Sequence, residues 1–146
     1  MKEAVEQFLL TLQLKPDYAE AHGNLGVAYM NQGKPTEGVP HFLEALRLNP
    51  NDANASCNLG IALLELKRPA EAAASLSESL RLKPDVARPE YFLALALARQ
   101  QKATEALVHA QKARDLAQAA GQAELAAKSE SLLKLCQSGE PLPSSL

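Results

Sequence analysis

Asn24 and Asn58 stand 34 residues apart, a spacing that recurs along the whole chain and makes them two copies of one position. An amide carries a donor and an acceptor together. A row of amides can therefore pair with an extended peptide backbone without reading its side chains. Phe92 occupies the third copy of the position. Tyr91, Phe92 and Leu95 supply apolar surface there, and Arg88 and Arg99 are cations able to hold a carboxylate. An aromatic at helical spacing also suits a core, and an arginine also suits solvent, so packing is the competing role for these residues. The chemistry on offer is recognition. His22, His41 and His109 read as falling at different places in the repeat and lack the spacing of metal ligands. Cys57 and Cys136 form no CxxC pair and read as free thiols in a reducing compartment. The sequence contains no glycine-rich phosphate loop and no GxSxG, and single carboxylates such as Glu65 or Glu78 read as solvated. The chain thus reads as non-enzymatic, with no cofactor and no metal.

Composition points to helices. Ala, Leu, Glu, Gln and Lys dominate, and aromatics make up only 4% of the 146 residues, a balance that favours helix over strand. A net charge of -2 leaves no electrostatic footprint for nucleic acid. No run approaches the roughly 20 apolar residues that span a bilayer. Residues 1–14 carry Glu3 and Glu6 early, unlike the basic start of a secretory signal. The expectation is a non-exported, cytoplasmic chain with no membrane insertion.

The elements that must position these residues follow from the period. Pro16, Pro50 and Pro84 are spaced by 34, as are Leu14, Leu48, Leu82 and Leu116; Leu25 maps onto Leu59 and Leu93, Ala28 onto Ala62 and Ala96, and Glu37 onto Glu71 and Glu105. A fixed period of this size means stacked units, each burying its apolar face against its neighbours. Helices are expected at 2–14, 19–32, 36–48, 53–66, 70–82, 87–101, 103–119 and 122–137, with short, antiparallel connections. Asn49-Pro50-Asn51-Asp52 and Lys83-Pro84-Asp85 should stop one helix and cap the next. Gln32-Gly33-Lys34-Pro35 makes a tight turn, and Lys67-Arg68-Pro69 and Gln101-Lys102-Ala103 do the same without glycine. Pro40, about a turn into its helix, predicts a bent or frayed start there.

The segments AEAHGNLGVAYMNQG, ANASCNLGIALLELK and ARPEYFLALALARQQ carry a more specific pattern. It resembles the tetratricopeptide repeat family over roughly residues 1–120. The first-helix signature is matched by Leu25, Gly26 and Tyr29, by Leu59, Gly60 and Leu63, and by Leu93, Ala94 and Leu97. The second-helix signature is matched by Gly38, Phe42 and Ala45, by Ala72, Leu76 and Ser79, and by Ala106, Ala110 and Ala113. Small residues let the two helices of a unit touch, with Gly26 facing Gly38, Gly60 facing Ala72 and Ala94 facing Ala106. The resemblance implies an all-α, right-handed solenoid of antiparallel helix pairs, the C-terminal end of an array. Its parts are a half repeat at 1–18, repeats at 19–52, 53–86 and 87–120, a capping helix at 121–137 and a flexible tail at 138–146.

The resemblance also implies where a ligand would lie. In this family the first helix of each unit lines a concave groove, which here draws on Asn24, Val27 and Asn31, on Asn54, Asn58, Ile61 and Glu65, and on Arg88, Tyr91, Phe92, Leu95 and Arg99. The Asn24–Asn58 pair is similar to the asparagine ladder of O-linked N-acetylglucosamine transferases; the same amides could instead bond a neighbouring helix. Repeats that clamp the carboxylate tail of chaperones carry basic residues where Gly23 and Phe92 stand here, so that clamp is not expected.

The two ends differ. In this register Met1 opens a second helix whose first is missing, so Val5, Phe8, Leu9 and Leu12 should be left partly bare, a surface for truncation or for homodimerisation through residues 1–14. The other end reads as a true terminus: Leu125, Leu132, Leu133 and Cys136 turn inward, while Glu124, Lys128, Glu130 and Lys134 turn outward. The expected function is a scaffold that binds a protein or peptide segment in its groove. The alternative is a structural or self-assembly module of a larger repeat protein.

Overall fold

The computed structural model describes residues 2–143. Its elements are α1 (Lys2–Leu14), α2 (Ala19–Asn31), α3 (Pro35–Leu48), α4 (Ala53–Glu65), α5 (Pro69–Leu82), α6 (Ala87–Arg99), α7 (Ala103–Ala119) and α8 (Ala123–Ser138), all helices, and each packs against the next in chain order. Their ends fall within two residues of the expected ones because the punctuation is chemical. Pro35 and Pro69 sit at the first helical position, where a missing N–H matters least. Gly33, Lys67 and Gln101 take φ of +69°, +58° and +62° at one repeat position. The turn therefore demands a left-handed residue, and two of the three copies adopt it without glycine.

Capping is less uniform than expected. The Asp52 carboxylate accepts from the Asn54 and Ala55 N–H groups at 2.9 and 3.0 Å. Asp85 does not cap α6. It sits at φ +59° and pairs with Lys112, and Val86 takes the cap position. Nor is the start of α3 frayed, since Gly38 N–H donates to Lys34 O at 3.1 Å and Pro40 lies exposed on a continuous helix.

Close helix crossings build the core. A Cβ on Gly38 would lie 3.1 Å from Gly26 O, and one on Gly60 would lie 3.1 Å from Ala72 O. Gly26 lies under the Phe42 ring and Gly60 under Leu76, and Phe42 and Leu76 are fully buried. The third copy of this arrangement is Ala94 with Ala110, so where the first helix gains a methyl over glycine the second carries a side chain smaller than Phe42 or Leu76. Leu132 and Leu133 of α8 complete the core beside α6 and α7.

Ser138 is the last residue of α8, Gly139 ends it in a left-handed conformation, and Leu142 is half-buried against the core. Met1 and residues 144–146, on which the sequence also carried expectations, lie outside the described residues.

Candidate functional site

Helices α2, α4 and α6 bring most of the expected groove residues to three adjoining cavities. The first, about 440 Å³, is bordered by Asn24, Asn54, Cys57 and Asn58 and also by Ser79, Lys83 and Arg88. Asn24 is exposed and Asn58 half-buried, and neither side chain has a hydrogen-bond partner among the described residues. Two amides one repeat apart thus open onto the same space with their donors and acceptors free. Burial pushes the Cys57 thiol up, against a weaker opposing pull from the Arg88 charge, so its reactive thiolate is disfavoured.

Arg88 also borders the second cavity, about 640 Å³, with Tyr91, Phe92 and Leu95 of α6 and Glu124, Leu125 and Lys128 of α8. Tyr91 is buried and meets Phe92 edge-on, ring centroids 5.1 Å apart. It serves as a pillar that fixes the Phe92 ring. The half-buried Phe92 faces the third cavity as well, about 730 Å³, together with Ile61, Leu64, Glu65, Leu95 and Arg99. Arg99 Nη1 donates to Leu64 O at 3.0 Å and so braces α6 against α4. Two expected groove residues stay apart. Val27 packs against the core and the exposed Asn31 borders none of these cavities.

On α1, Val5, Phe8 and Leu12 are half-buried and Leu9 is exposed. The exposed apolar residues are Leu9, Leu10 and Leu14, the last 78% exposed. Leu10 and Leu14 lie outside the set Val5, Phe8, Leu9 and Leu12 that helical spacing groups together.

The histidines do not all fall at different places in the repeat. His41 and His109 are two 34-residue periods apart and occupy one repeat position, and His22 and Glu90 occupy another. His109 Nδ1 lies 2.6 Å from Glu90 Oε2, and Lys112 Nζ lies 2.8 Å from Glu90 Oε1. Burial pushes the Glu90 carboxyl up. The hydrogen bonds and charges of His109 and Lys112 outweigh burial and hold it below the ordinary glutamate range. In the first repeat the same geometry holds His22 Nδ1 3.2 Å from His41 Nδ1, while His22 Nε2 donates to Pro16 O at 2.9 Å. These pairs lie between helices, away from the three cavities. Among the described residues no cluster of His, Cys, Asp and Glu could hold a metal ion.

Helix pairs at a 34-residue period, joined by small residues and opening a groove along their first helices, define a helical-repeat solenoid of the recognition class. The chain belongs to the tetratricopeptide repeat family: the family model matches residues 24–87 and again 57–131, and a second model of the repeat matches residues 1–33. No curated protein matches the sequence. Among solved structures, "MamA MSR-1 C2" is 28% identical with a TM-score of 0.71, over 80% of this chain and 67% of that one. The chain thus spans about two thirds of its length. The TPR2B domain of yeast Sti1, described as a complex with pHsp70, is 21% identical with a TM-score of 0.78, over 84% and 98% of the two chains. PcrH in complex with the chaperone binding region of PopD is 22% identical with a TM-score of 0.77, over 82% and 90%. At those identities the last two speak for the fold. Among the described residues no helix is long and apolar enough to cross a membrane.

Proposed function

We propose that this chain is a non-catalytic interaction module that binds an extended peptide segment in its concave groove. The observation that carries the reading is the pair Asn24 and Asn58, one repeat apart on a shared cavity with their amides unpaired among the described residues. They would bond the peptide backbone. Phe92 and Leu95 would take an apolar side chain, and Arg88 a carboxylate beside it. That relatives of this fold were solved with pHsp70 and with a segment of PopD supports a peptide as the class of partner. Gly23 and Phe92 at the positions of the chaperone-tail clamp argue against that particular ligand.

The test is a peptide selected from a random library against the intact protein, then titrated by fluorescence anisotropy. Asn24→Ala combined with Asn58→Ala should weaken binding about tenfold, from two lost hydrogen bonds. Unchanged affinity would remove the amides from the reading. A second reading, self-assembly, is favoured by one observation, the exposed row Leu9, Leu10 and Leu14 on α1. The free thiols of Cys57 and Cys136 fit a reducing cytoplasm.

A further inference from the structure

Past α8 the chain turns back on itself. Gly139, at φ +70°, reverses its direction, and Pro141 and Pro143 favour extended backbone around Leu142. Leu142 is half-buried against the core. With Pro143 it walls the 730 Å³ cavity otherwise formed by Ile61, Leu64, Phe92 and Leu95. On its other side Leu142 joins Glu140 and Arg99 around a further cavity of about 480 Å³ against α8. The tail therefore lies along groove residues of α4 and α6, on the surface an extended ligand would use.

We infer that residues 140–143 are an intramolecular occupant of the groove, and that the apolar end around Phe92 accepts extended, proline-flanked leucine segments. The inference rests on the peptide-groove reading above and narrows it. Physical chemistry favours such an occupant. Prolines on both sides restrict the free segment, so less backbone entropy is lost on seating it. A short tether also supplies an effective concentration in the millimolar range, so a contact of only millimolar intrinsic affinity keeps the site about half filled. An external peptide must displace the tail, and its apparent affinity falls by the fraction of chains whose groove is open.

The experiment uses the full chain and its Leu142→Asp variant, with a labelled synthetic peptide of residues 139–146 (GEPLPSSL) as the probe, titrated to millimolar concentration. The peptide should bind the variant several-fold more tightly than the wild type, and adding Phe92→Ala to the variant should abolish binding. Equal affinity for the two chains, or no binding to either, overturns the inference. A second measurement needs no variant: nuclear Overhauser contacts between the Leu142 methyls and the rings and methyls of Phe92, Leu95 and Ile61 in the intact protein. Random-coil shifts at Leu142 with no such contacts overturn it as well. The two readings fail separately. If the library-selected peptide binds and the tail peptide does not, only this inference falls; if neither binds, the groove reading falls with it.

Discussion

His109 Nδ1 lies 2.6 Å from the buried carboxylate of Glu90, and the two occupy the repeat positions held by His41 and His22 two periods earlier. The change from His22 to Glu90 brings a charge inside, and the neighbouring helix answers it. Glu44 pairs with Arg47, and Glu78 with Arg81. The third copy of this pair is Lys112 and Asp115, with the signs exchanged. A glutamate at 112 would face Glu90 across the helix contact, whereas the lysine donates to it at 2.8 Å.

Glu90→Gln keeps the shape of the side chain and removes the charge. It should lower stability at pH 7 by about 2 kcal/mol, the loss of two charge-assisted bonds partly offset by easier burial of an amide. For a chain of this size that is a fall in Tm of about 4–8 °C. The folded carboxyl titrates below its ordinary range. Its contribution is therefore present above the unfolded glutamate pKa and is lost as pH falls through the folded value. Urea denaturation of both proteins at pH 7 and pH 4 checks this, and the gap between them should narrow at the lower pH.

The first-repeat pair makes the opposite use of the same geometry. His22 Nε2 donates to Pro16 O, which leaves its Nδ1 as the acceptor for His41 Nδ1–H. His41 is stacked between His22 and Tyr29, and burial, then the His22 charge, holds its pKa below the ordinary histidine value. The stability it adds is present above the unfolded pKa of about 6.5 and is lost as pH falls through the lower folded value. Wild type should therefore lose about 1 kcal/mol between pH 7.5 and 5.5. The double variant His22→Ser, His41→Ser, which copies Ser56 and Ser75 of the second repeat, should be nearly flat over that range. Equal slopes in urea titrations would remove the pair as the acid-sensitive element.

Helix positions were legible because proline and the left-handed turn residue act locally. Pro35 and Pro69 mark helix starts whatever the rest of the chain does, and Lys67 and Gln101 inherit their φ from the turn that Gly33 defines. The Asn24–Asn58 alignment was legible for the same reason, since periodicity alone puts both on one face of successive helices. The Glu90–His109 pair was not. It joins residues 19 apart on two helices, and its signal was the swapped signs of Lys112 and Asp115, visible only when all repeats are aligned column by column. The seat of Leu142 was illegible because a short proline- and serine-containing tail carries no periodicity, and its contact lies on helices more than 40 residues earlier.

The size exchange between α4 and α5 gives a sharper test of packing. A Cβ on Gly60 would lie 2.5 Å from Leu76 Cγ, so Gly60→Ala should destabilise by about 1–2 kcal/mol despite the better helix propensity of alanine. The double variant Gly60→Ala, Leu76→Ala reproduces the Ala94–Ala110 pair of the third repeat. The clash term should vanish there and leave a favourable coupling of about 1 kcal/mol in a double-mutant cycle. Gly23→Ala serves as control: a Cβ there meets nothing within 4 Å, and the variant should be more stable by about 0.5–1 kcal/mol.

Phe8 and Phe42 are one repeat position with two fates. Phe42 is fully buried over Gly26, while Phe8 is half-buried against α2 with no equivalent of Gly26 among the described residues. Phe42→Ala should therefore lose about 4 kcal/mol, and Phe8→Ala only about 1–2 kcal/mol, because roughly half of the apolar transfer is already forgone in the native state. If α1 meets a second copy through Leu9, Leu10 and Leu14, the midpoint of unfolding rises with protein concentration, and Leu10→Glu, at an exposed position of that row, lowers it toward a concentration-independent value. Sedimentation velocity over a hundredfold concentration range reads the same equilibrium directly. A single monomeric boundary throughout would remove α1 as a self-association surface.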